Sequence, residues 1–141
     1  MTAAAHLASG MDILRISLHI LGVAVWVGVG GQIVLAGLVP VLRDAGEGVP
    51  QKAARAFARL SWPAFVLVVI TGFWNYGLEF KTGATYGWQM VFGVKFLAVI
   101  AAGVGAYLHS KAQTPARRGA TAGIGLLASL VALVLGVALA G

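Results

Sequence analysis

From Gly119 to Gly141 the chain carries no charged residue, a run of 23 positions. About 20 apolar residues suffice for a helix to cross the hydrocarbon core of a bilayer. Three further stretches are nearly as clean. About Ile13 to Leu42 has no acid or base after Arg15. About Leu60 to Leu78 has none, and about Trp88 to Leu108 has only Lys95. Strands of a membrane barrel would alternate polar and apolar residues, and these runs do not. The 141 residues are 60% hydrophobic and 10% charged, against about 45–50% and about 25% in soluble domains. That balance excludes a soluble core of this length and a disordered chain. The expected fold is all-α: one domain, residues 1–141, an integral membrane four-helix up-down bundle. Its spans are about 13–42, 60–78, 88–108 and 119–140.

The connections have loop chemistry. Arg43–Pro50 holds Asp44, Gly46, Glu47, Gly48 and Pro50. Gln51–Arg59 reads as a short basic helix leading into span two, with Ser61 and Pro63 marking a helix start or a kink. Glu79–Gly87 and Gln113–Arg118 form the other two connections. Seven bases (Arg43, Lys52, Arg55, Arg59, Lys111, Arg117 and Arg118) fall on the side opposite the N-terminus, and Arg15 and Lys81 on its own side. The excess of bases marks the cytoplasmic face. The expectation is a multi-pass protein of a prokaryotic cytoplasmic (inner) membrane with both termini outside. The basic segment Lys52–Arg59 sets this topology, and contact with anionic lipid is its second reading. Span one is too long for a signal-peptide core and is expected to stay in the mature protein. The net charge of +6 does not form the clustered soluble face that nucleic acid needs.

Depth along each span brings polar groups to one level. His19 lies roughly 9 Å into span one and Lys95 roughly 10 Å into span three, which runs the same way. Span two runs back, and Thr71 lies roughly 10 Å and Asn75 roughly 5 Å from its outer end. Thr71 and Asn75 are four apart and share a helix face. Span four offers nothing polar at that level and reads as packing. A histidine in lipid either ligates or moves protons, or it bonds as a core residue. A lysine so deep must find an anion or lose its proton, or it snorkels out to Glu79. Thr71 and Asn75 serve the site or pin helices together. Trp26, seven residues after His19, lines a cofactor cavity or packs. Gln32 is read as helix pairing, and His109 belongs to the opposite interface.

Three segments carry a resemblance. They are LHILGVAVWVGVGGQIVLAGLVPVLR (Leu18–Arg43), ARAFARLSWPAFVLVVITGFWN (Ala54–Asn75) and YGWQMVFGVKFLAVIAAGVGAYLH (Tyr86–His109). In their order and spacing they resemble the membrane domain of the copper-resistance protein D (CopD) family. The layout is also similar to HemJ-type protoporphyrinogen oxidases, which share a span-one His and a span-three Lys. The CopD resemblance implies copper handling at the cytoplasmic membrane beside a periplasmic copper-binding partner. The HemJ resemblance implies b-type haem. Carried over, the site residues are His19 and Lys95, with Thr71 and Gly72 as the second-span signature.

The ligand inventory separates these implications. Without Cys, and with three Met and three His, no soft-ligand ladder for copper crosses the membrane. Met1, His6 and Met11 form a conceivable external copper site, with His19 below it. A b-type haem needs an axial ligand, an apolar slot and a propionate partner. His19 supplies the metal ligand, Trp26 and the glycines the slot, and Lys95 or Arg15 the propionate contact. A second ligand comes from Met90, from His19 of a second copy in a homodimer, or is absent. Nucleophile triads, metal-protease motifs and phosphate loops are absent from the sequence, so catalysis would make this a haem-dependent membrane oxidoreductase. Three readings stay open: haem binding, copper uptake, and a non-catalytic subunit of a larger membrane assembly.

Overall fold

The structure is a computed structural model, and it describes residues 6–28 and 32–140. Among these residues it is all-α, with four helical spans long and apolar enough to cross a membrane. Span one holds α1 (Gly10–Val23), a π-helical turn (Ala24–Gly28) and α2 (Gln32–Asp44). The remaining spans are α3 (Val49–Thr82), α4 (Tyr86–Lys111) and α5 (Pro115–Ala140). Val29, Gly30 and Gly31, which follow Trp26 in span one, lie outside the described residues, as does Met1.

Local chemistry explains the helix ends. Ser9 caps α1, its hydroxyl accepting from the Asp12 amide at 3.2 Å. Thr85 caps α4 the same way through the Trp88 amide. Thr114 caps α5 through the Arg117 amide, with Pro115 at the first helical position. The end of α3 is a Schellman turn. Gly83 takes φ +94°, the Ala84 amide donates to the Glu79 carbonyl, and the Gly83 amide donates to the Phe80 carbonyl.

Two expectations about boundaries change. The basic run-in and span two are one 34-residue helix, α3, which continues through Pro63. Proline removes one amide and frees the carbonyl four residues back. Here that is the carbonyl of Arg59, an exposed residue at the basic end. The second and third connections shrink to Gly83–Thr85 and to residues 112–114, because the caps start the next helices early.

Helices meet where side chains vanish. A Cβ placed on Gly22 would lie 2.7 Å from a Val68 methyl and 3.1 Å from the Ala64 carbonyl, so α1 sits directly on the α3 backbone. A Cβ on Gly105 would lie 2.9 Å from the Gly125 Cα, which joins α4 to α5. Such small-residue contacts let helices associate in lipid, where no hydrophobic effect drives them together. Between α3 and α4 the contact is aromatic. Tyr76 stacks on Phe92 at 4.3 Å, and Phe73 meets Phe96 edge-on at 5.2 Å.

Candidate functional site

The polar layer forms around His19. Its Nδ1 lies 2.7 Å from Thr71 Oγ1. Thr71, only 2% exposed, also lies 2.7 Å from the Leu67 carbonyl. A hydroxyl has one proton, and a carbonyl can only accept. Thr71 therefore donates to Leu67 and accepts from His19, which assigns the proton to Nδ1. If the ring is neutral, its lone pair is then on Nε2; the Val68 backbone also lies within hydrogen-bond reach of the imidazole. A ring held by its Nδ1–H with Nε2 available is the arrangement of a metal-ligating histidine.

His19 and Lys95 line one crevice. Gly72 and Phe73 from α3 and Phe92 and Phe96 from α4 complete its walls. A Cβ on Gly72 would stand 3.6 Å from His19 Cε1, so the glycine leaves the ring edge open. Lys95 makes no ion pair among the described residues. Its ammonium lies beside α5, 3.0 Å from where a Gly136 Cβ would be. Gly136 thus belongs to the surroundings of the lysine, although span four reads from sequence as packing alone.

The other candidates separate from this crevice. Arg15 is buried and turns to Asp12 at 2.7 Å. Asn75 sits one turn after Thr71 on α3, its Oδ1 buried without a hydrogen-bond partner. Trp26 does not line the crevice. It packs with Phe65 at 4.5 Å and Trp62 at 5.4 Å, and its indole donates to Ser129 Oγ at 3.1 Å. The Gln32 amide donates to the same oxygen, and Ser129 donates to the Gly125 carbonyl. Ser129 was missed by sequence reasoning. Its one signal is that it is the last hydroxyl residue in an otherwise apolar span. His109 donates from Nδ1 to the Arg118 carbonyl at 2.9 Å and ties α4 to α5 at the basic end.

The donor set fits one axial haem ligand, His19, and one ammonium for a propionate, Lys95. The crevice is partly open, with about 30 Å³ of room for water, and as it stands takes no macrocycle. Phe73 on its lining is 46% exposed. For copper, no group of three His, Cys, Asp or Glu converges among the described residues, and His6 and Met11 are exposed on the N-terminal segment. No family model, curated protein or solved structure matches this chain.

Proposed function

We propose that this chain is a CopD-like membrane protein that handles a redox metal, holding b-type haem through His19 in the outer half of the bundle. The observation that carries this reading is the His19–Thr71–Leu67 relay. It spends Nδ1 and Thr71 on fixing a ring and leaves Nε2 uncommitted beside an unpaired lysine. Bound haem supplies one-electron chemistry. The chain's own groups do the rest. Thr71 orients the imidazole and fixes its tautomer. Lys95 offers positive charge to a carboxylate. Phe73, Phe92 and Phe96 keep water from the flank. In this reading the protein sits in the inner membrane of a prokaryote with both termini outside.

The test is a visible spectrum of detergent-purified protein, oxidised and reduced, with iron and copper measured on the same sample and haem supplied during expression. A haem spectrum with stoichiometric iron that vanishes in His19→Ala is the expected result. A colourless protein carrying copper overturns it in favour of copper transport. A colourless, metal-free protein overturns both and leaves a non-catalytic subunit of a membrane assembly.

A further inference from the structure

The two helical hairpins are flush at one end of the bundle and unequal at the other. The turn Gly83–Thr85 brings the end of α3 level with the start of α4. From there the Tyr76–Phe92 stack and the contact of Phe65 with Gly103 keep the two helices in step. Continued along the same register, Lys111 at the end of α4 comes level with Phe57. The eight residues from Val49 to Ala56 therefore project past α4, by about 12 Å at 1.5 Å per residue. The second half of α2 packs antiparallel to them, because the short loop at Ala45–Gly48 returns the chain directly.

The two halves of this tip have opposite character. On α2, Leu38 and Val41 are 42% and 64% exposed, and no charge precedes Arg43. On α3, Lys52, Arg55 and Arg59 are exposed at spacings of three and four, which puts them on one helix face. Ala53 and Phe57 are half-buried. The nearby acids are Asp44 and Glu47, and among the described residues neither forms an ion pair with these bases. An apolar helix face projecting into water is unfavourable, and a basic face buried in hydrocarbon is too. One environment suits both at once: the boundary where acyl chains end and anionic headgroups begin.

We infer that the α2–α3 tip is an interfacial anchor, with Leu38 and Val41 in the acyl region and Lys52, Arg55 and Arg59 on the headgroups of anionic phospholipids. The inference is independent of what the outer crevice binds. The tip draws the basic end against anionic membrane and tilts or thins the bilayer there, since the α4–α5 hairpin ends about 12 Å earlier.

The chain contains no Cys, so single substitutions carry single spin labels. The full-length protein is reconstituted in vesicles of phosphatidylcholine with and without phosphatidylglycerol. A label on Val41→Cys is expected to collide with oxygen rather than with a water-soluble nickel complex, as a label on Val104→Cys in α4 does. Native mass spectrometry of protein taken from the mixed vesicles is expected to show retained phosphatidylglycerol over phosphatidylcholine. Replacing Lys52, Arg55 and Arg59 together by Gln removes that preference, by roughly fivefold per base. A water-accessible Val41 label overturns the inference and points to a soluble partner on the tip. An unchanged lipid preference in the triple variant also overturns it. The Val104 label in the triple-variant background reports insertion, and if insertion fails, Arg55→Gln alone carries the lipid measurement with the same two outcomes.

Discussion

Two buried polar clusters hold the bundle together, and they are built on opposite plans. At mid-span, Ser129 accepts from Trp26 and from Gln32 and donates to Gly125, so its hydroxyl is saturated. Toward the N-terminal end of the bundle, His19 uses Nδ1 on Thr71, and Lys95, with no ion pair among the described residues, lines the same crevice. The Ser129 hydroxyl has no valence left for a ligand, although Gln32 Oε1 beside it is buried without a hydrogen-bond partner. A ring nitrogen with no side-chain partner and a lysine without an ion pair among the described residues keep that capacity. The difference separates a cluster that fastens helices from one that receives something, although both consist of polar groups in lipid.

Removing the imbalance has the largest effect. On the haem reading proposed above, His19→Ala is expected to abolish haem and iron binding, read by absorption and elemental analysis, while the protein remains folded. The lost hydrogen bond is worth about 0.6 kcal/mol on average inside a membrane, and Thr71 keeps its own bond to Leu67. A variant that fails to fold would place His19 with Ser129 as a fastener.

Thr71→Val comes next. It preserves the shape but removes the acceptor for Nδ1–H, freeing the ring to turn and to change tautomer. Loss of such an outer-shell partner typically costs ten- to hundredfold in metal affinity. Haem titration of the apoprotein reads this loss. Rescue by Thr71→Ser, which restores the hydroxyl, separates orientation from packing.

The mirror experiment is Ser129→Ala. It strands the Trp26 and Gln32 donors in a buried site. The unfolding free energy is expected to fall by about 1–2 kcal/mol, read by circular dichroism in denaturing detergent. The haem spectrum stays as in the parent protein. If the spectrum also changes, the two clusters are coupled through the π-helical turn and cannot be treated as separate devices.

What the sequence discloses follows from dimension. Depth is one-dimensional, so hydropathy and a fixed rise per residue suffice to bring His19, Thr71 and Lys95 to one level. Which way a residue faces depends on helix rotation and crossing, which no single span records. Ser129 is invisible as a hub because its two donors come from span one, near the π-helical turn that no periodicity announces. Trp26 shares a helix face with His19 on an ideal helix, yet the structure sends it to Trp62 and Phe65. Ser61 and Pro63 signal a helix start or a kink, and the helix-start reading does not hold, since α3 runs through them. That reading is overruled because one lost hydrogen bond at the basic end costs less than ending α3 there.

The smallest expected effect tests whether Lys95 is truly unfastened. A Cβ on Gly136 would stand 3.0 Å from Lys95 Nζ, closer than side chains normally sit, and 3.5 Å from Cε, an ordinary contact. The neighbour is the far end of a flexible chain, so it can move away from α5 at small cost. Replacing Gly by Ala inside a helix contributes up to about 1 kcal/mol in the opposite direction. Gly136→Ala is therefore expected to leave the thermal midpoint unchanged or slightly raised, and to shift haem affinity only a few-fold as the ammonium is pressed toward the crevice. A loss of more than about 1 kcal/mol would mean that Lys95 is wedged against α5 and serves to hold the fourth helix. The outer cluster would then fasten helices as the mid-span one does, and the contrast between them would rest on His19 Nε2 alone.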